Sequence, residues 1–99
     1  MKFRIEYAPN MVVHLKALTA RQQSTVLDGV VNHLSIDPMF ETRHRKPMRP
    51  NSLAPWELRL DNLRVYFDIV TEPDPVVVIL AVGIKDRNVL RIGKKAIEL

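Results

Sequence analysis

Arg59 and Arg64 are the residues whose spacing first suggests chemistry. Trp56, Leu58 and Leu60 alternate with Glu57 and Arg59, and Val65, Phe67 and Ile69 alternate with Arg64, Tyr66 and Asp68. Asp61-Asn62 between the two runs is turn chemistry, so the stretch reads as a β-hairpin. With the apolar set facing a core, side-chain parity puts both arginines on the opposite face, as near neighbours on adjacent strands. Two like charges so placed repel unless an anion or a carboxylate lies between them. Glu57 is a carboxylate for that role. The plain alternative is an exposed cross-strand ion pair, Glu57 with Arg64 or Asp68 with Arg59, which stabilises little. The functional alternative is a phosphate-binding floor, because the planar fork of arginine suits a phosphodiester.

The loop just before the hairpin adds Arg43, His44, Arg45, Lys46 and Arg49, with Pro47 and Pro50 holding it extended. A run of this kind is either a solvated loop or a presenter of charge to a nucleic-acid backbone. His44 is a general acid or base titrating near neutrality, or simply one more donor. Tyr66 has the parity to reach the open face for base stacking or proton transfer, whereas Tyr7 shares the parity of Phe3 and Ile5. His14 and His33 fall on helical stretches as surface or half-buried residues. The chain has no cysteine, which excludes a disulfide and a thiolate zinc site, and its three histidines lack metal-ligand spacing. No metal and no cofactor are expected.

These groups need a scaffold, and 99 residues with 46% apolar content supply one domain, spanning 1–99, around one core. The longest apolar run, residues 76–82, is far short of the roughly 20 needed to span a bilayer. A soluble, cytoplasmic protein with no membrane partner is the expectation. Fifteen basic residues against eleven acidic give a net charge of +4, and the excess lies in two blocks. One is residues 43–64; the other holds Lys85, Arg87, Arg91, Lys94 and Lys95. If the blocks meet they form a basic face able to hold a polyanion, of which nucleic acid is the commonest.

Along the chain, residues 2–7 alternate as a half-buried strand and residues 11–18 have helical spacing. Thr19 and Gln22 match a capping box for a second helix over residues 20–35, with Val26, Leu27, Val30, Val31 and Leu34 on its apolar stripe. Gly29 inside it costs about 1 kcal/mol relative to alanine and marks close packing. Residues 40–55 fit no period and read as loop. Residues 76–82 read as a central strand stopped by Gly83, and the tail reads as a small terminal hairpin around Gly93-Lys94. The order is βααβββ: an α+β fold with a two-helix hairpin on one face of a mostly antiparallel four-stranded sheet, the other face left free.

The segments Trp56-Glu57-Leu58-Arg59-Leu60, Leu63-Arg64-Val65-Tyr66-Phe67-Asp68 and Val78-Ile79-Leu80-Ala81-Val82-Gly83-Ile84-Lys85-Asp86-Arg87 follow a strand, a helical hairpin and a basic loop. In that order the chain resembles the RelE/ParE superfamily of type II toxin–antitoxin toxins over nearly its whole length. The resemblance implies a RelE-like fold. It also implies a ribosome-dependent mRNA interferase, in which the ribose 2′-hydroxyl attacks the adjacent phosphate without metal and basic side chains stabilise the developing charge. By position, catalytic roles fall to Arg59, to Arg64 as clamp of the scissile phosphate, and to Lys85 or Arg87 at the leaving oxygen. RNA contacts would come from Arg43, His44, Arg45, Lys46, Arg49, Tyr66 and Arg91.

Active members carry a tyrosine or histidine near the C-terminus as general acid or base. Here neither type follows Tyr66, and Leu90 or Arg91 stands at about that place. Either His44, Tyr66 or a lysine substitutes, or the chemistry is weak or absent. The ParE branch of the superfamily poisons DNA gyrase and cleaves nothing, so a gyrase inhibitor and a binding module of the same fold are the alternatives. The implied partners are a cognate antitoxin, acidic and partly disordered until it folds on the toxin, then ribosome and mRNA for an interferase or gyrase for a ParE-like protein.

Overall fold

The computed structural model describes residues 2–98. Strand β1 (Arg4–Tyr7) leads into helix α1 (Pro9–Lys16), where proline suits the first turn because its missing N–H would have no helical acceptor there. Helix α2 (Ala20–Leu34) begins with the expected capping box. The Thr19 hydroxyl accepts from the Gln22 N–H at 3.1 Å, and the Gln22 side-chain oxygen accepts from the Thr19 N–H at 3.0 Å. Val26, Gly29, Val30 and Leu34 are buried, but Leu27 and Val31 of the predicted stripe are exposed, so the buried face is narrower than the pattern suggested. A Cβ on Gly29 would come within 2.5 Å of Leu60 Cδ1, which places the close packing between α2 and the sheet.

The remaining strands are β2 (Arg45–Pro47), β3 (Trp56–Leu60), β4 (Leu63–Val70), β5 (Val76–Asp86), β6 (Val89–Ile92) and β7 (Lys95–Ile97). They lie in that order across an antiparallel sheet, and β1 adds a seventh strand parallel to β5. The α+β class and the helical hairpin are as expected, while the strand count rises from four to seven. Part of the extra count is β2, a three-residue edge strand inside the predicted loop, too short to show a period and ended by Pro47. The rest is the tail, whose hairpin forms and joins the sheet through β6. Gly93 and Lys94 both have positive φ, as a two-residue type I′ turn requires.

Two further expectations are corrected. Gly83 does not stop β5, which continues through it to Asp86. Its lack of a side chain serves the neighbouring strand: a Cβ there would lie 2.6 Å from the Arg91 carbonyl oxygen and 2.8 Å from Ile92 Cγ1. Nor is the far face of the sheet free. One core, including Phe3, Met11, Val26, Leu58, Phe67 and Val82, lies between helices and sheet. A second, of Ala54, Tyr66, Ala81, Leu90 and Ile92 with Met48, Leu53, Leu80 and Ile97 against it, covers much of the other side. The register shift that pairs Tyr66 with Ala81 but Phe67 with Ile79 leaves Leu80 as an extra residue in β5. This bulge lets Leu80 and Ala81 both serve the second core. Among the described residues no helix is long and apolar enough to cross a membrane.

Candidate functional site

Strand register builds the site. Arg59 pairs with Arg64 and Glu57 with Tyr66 across β3 and β4; Arg64 pairs with Gly83 and Tyr66 with Ala81 across β4 and β5. Alternation therefore puts Glu57, Arg59, Arg64 and Tyr66 on the face away from the helices, and Lys85, two residues past Gly83, continues that row. The β2 edge and residues 48–51 rise beside it. Between them runs a groove of about 560 Å³ lined by Lys46, Arg49, Asn51, Glu57, Arg59 and Lys85, among others. A smaller cavity of about 230 Å³ shares Glu57 and Lys85 and adds Tyr66, Asn88, Leu90 and Ile97. The two basic blocks of the sequence thus meet, through Arg59 and Lys85, in one concave surface.

Not every predicted residue reaches it. Arg64 lies on the same face, but its Nη1 donates to the carbonyls of Asp61 at 2.6 Å and Leu63 at 3.0 Å, and its shielded Nε has no partner. Arg45 turns inward, its Nη1 donating to the carbonyls of His33 at 2.9 Å and Asp37 at 3.0 Å, so it ties β2 to the end of α2. His44 stacks obliquely on His33 with ring centroids 5.0 Å apart, and its Nδ1 is 3.2 Å from the Arg59 carbonyl oxygen. Burial, the neighbouring His44 and Arg45 lower the pKa of His33. Arg43 is exposed outside the groove, and Arg87 occupies a left-handed position in the β5–β6 turn with φ 58°. Arg91 is placed on the opposite side, lining a depression with Ala17 and Leu18 of the helical layer.

Tyr66 also departs from expectation. Its side chain is 1% exposed, because the second core closes over the face it was predicted to find open. Burial first, and the Glu57 carboxylate beside it second, push its phenol well above the usual tyrosine range. The residue that the sequence undervalued is Glu57. It is 8% exposed, and its Oε1 accepts from Arg59 Nε at 2.7 Å. The signal was present as Glu-x-Arg on one strand face, an i to i+2 pair, whereas the ion pairs weighed from sequence ran across strands. Lys46 approaches Glu41 at 3.6 Å, leaving that lysine half-exposed at the groove. No group of three or more His, Asp or Glu side chains that could hold a metal occurs among the described residues.

The fold is RelE-like. The chain is similar to a chain of the toxin–antitoxin complex RelBE2 from Mycobacterium tuberculosis, with a TM-score of 0.73 and 24% sequence identity. The match covers 86% of this chain and 100% of that one. No protein-family model matches the sequence, and no curated protein matches it.

Proposed function

We infer that this chain is the toxin of a type II toxin–antitoxin pair and that it acts as an mRNA interferase on the ribosome. The observation that carries the reading is the convergence of Lys46, Arg49, Arg59 and Lys85 on one groove, three of them from strands of a RelE-like sheet and Arg49 from the loop after β2. With its Nε held by Glu57, the Arg59 guanidinium has its two remaining nitrogens to offer a phosphodiester. Lys46 and Arg49 follow the RNA backbone from the β2 side. Lys85 stands where it can stabilise the leaving oxygen, and Arg64, opposite Arg59, completes the clamp by swinging from the turn carbonyls.

The antitoxin partner rests on the solved neighbour, which is a toxin–antitoxin complex. Val31, Ile36 and Phe40, more than half exposed along the end of α2 and the segment after it, offer apolar surface to such a partner. The groove offers charge to an acidic segment.

The test is a cell-free bacterial translation reaction with mRNA ends mapped. Wild-type protein cuts within ribosome-occupied codons, and Arg59→Ala and Arg64→Ala abolish the cuts while remaining folded. Intact mRNA together with inhibited supercoiling would replace this reading with a ParE-like gyrase inhibitor.

A further inference from the structure

Met48, Arg49, Pro50 and Asn51 line the groove, and they also line a second hollow of about 470 Å³ to which no role has yet been given. The loop that walls it is held in one shape. The Met48 N–H donates to the Pro55 carbonyl at 2.8 Å and joins the loop's ends. Within it, Asn51 Nδ2 donates to the carbonyls of Arg49 at 2.7 Å and Ala54 at 3.0 Å, and Oδ1 accepts from the N–H groups of Leu53 at 2.7 Å and Ala54 at 3.0 Å. That amide is thereby saturated. Met48, Leu53 and Leu80, packed against the second core, give the hollow its apolar walls. Asp68, two residues past Tyr66 on β4, is the one carboxylate that lines it. Its Oδ1 accepts from the Ile69 N–H at 2.7 Å, a bond that an asparagine oxygen would make as well, so the local structure does not call for a charge. Arg49 lines the same hollow, yet among the described residues no ion pair joins it to Asp68. Apolar walls holding an unjoined cation and anion suit a flat ligand that brings an acceptor to one and donors to the other.

We propose that this hollow is a base-binding subsite selecting guanine beside the cleaved phosphate, with Asp68 as its specificity-determining residue, an inference that rests on the interferase reading above. Arg49, common to hollow and groove, keeps the RNA backbone at the boundary between them. The base lies against Met48, Leu53 and Leu80, and the Asp68 carboxylate accepts from its N1–H and its 2-amino group. Those two donors stand side by side like those of an arginine fork, the arrangement that a carboxylate takes bidentately. The pairing edges of adenine and cytosine set an acceptor next to a donor, and the single N–H of uracil stands between two carbonyls. Each of these bases therefore turns a lone pair toward the carboxylate and leaves it short of a partner.

Single-turnover cleavage in ribosomes programmed with mRNAs that differ by one base at a time on either side of the cut tests this. At one of those positions the wild-type protein is expected to cut about 5- to 150-fold faster with guanine than with adenine, the range that one bidentate base contact supplies. Inosine, which lacks the 2-amino group, is expected to fall between the two. Asp68→Asn keeps an oxygen for the Ile69 N–H and turns an amide donor to the base, so the guanine advantage is expected to shrink to about twofold or less. Asp68→Ala, which offers the base neither donor nor acceptor, is expected to shrink the same ratio and guards against an asparagine variant that fails to fold. A merely structural role for Asp68 would lower all rates together and leave the ratio as it was. That result, or equal wild-type rates with all four bases, would overturn the subsite while the interferase reading stands. Absence of cuts by the wild-type protein would overturn both.

Discussion

Arg59 and Arg64 are cross-strand partners whose guanidinium groups take separate acceptors. Arg59 turns along its own strand to Glu57 Oε1 at 2.7 Å, and Arg64 turns back over the hairpin to the carbonyls of Asp61 and Leu63. The like-charge repulsion expected of a directly opposed pair is relieved by giving each arginine its own acceptor.

The groove separates the basic residues into two groups that behave differently. Under the interferase reading, Lys46→Ala and Arg49→Ala are each expected to weaken binding to RNA and to reduce its salt slope by about one. Arg87→Ala and Arg91→Ala leave both quantities unchanged, because neither side chain lines the groove. Arg45→Ala leaves the salt slope unchanged but destabilises the fold by about 1.5–3 kcal/mol, since it removes the charged donor shared by the carbonyls of His33 and Asp37. Salt titrations of RNA binding and urea unfolding measure the two effects separately.

Two glycines differ in what an added methyl would meet. At Gly83 the obstacles are the Arg91 backbone oxygen at 2.6 Å and Ile92 Cγ1 at 2.8 Å, so Gly83→Ala is expected to cost about 1–3 kcal/mol and to loosen β6 from β5. At Gly29 the obstacle is the end of the Leu60 side chain, which can rotate away, and alanine recovers about 1 kcal/mol of helix propensity. Gly29→Ala therefore stays within about 1 kcal/mol of wild type. Urea midpoints of the two variants should fall in that order.

Tyr66 ties stability to alkaline pH. Burial, and then Glu57, raise its phenol above the ordinary value, so the folded protein keeps a proton that the unfolded chain releases near pH 10. The stabilisation is fully present below about pH 10 and is lost as pH rises beyond it. Tyr66→Phe keeps the ring in the second core and removes the titrating group. Its urea midpoint should fall less between pH 8 and pH 11 than that of the wild type, with Tyr7, also raised by burial, contributing to what remains.

What could be read in advance was what repeats. The alternation through Trp56 to Leu60 and through Val65 to Ile69 fixed the hairpin and the shared face of Arg59 and Arg64, and Thr19 with Gln22 fixed the start of α2. Tyr66 had its parity read correctly and its environment misjudged. Ala54, Leu90 and Ile92 reach it from distant parts of the chain, and no local period encodes that meeting. The bulge at Leu80 was invisible within an unbroken apolar run, and β2 is too short for any pattern. Gly83 looked like punctuation because a glycine inside a strand pattern does not say whether the strand ends or another backbone passes close by. Glu57 was missed as a buried group because its burial depends on the same covering of the far face.

The parallel pairing of β1 with β5 sets an order for synthesis. Arg4–Tyr7 must wait for its partners at Val76 to Ile79, far along the chain, so as translation proceeds the helical hairpin emerges with Phe3, Met11 and Val26 still lacking the central strand that closes over them. Contacts of such long sequence separation form slowly and late. The groove, which needs Lys85 from the same strand, is assembled at that same final stage, so under the interferase reading a nascent chain gains its RNA-binding surface only when nearly all of it has been made.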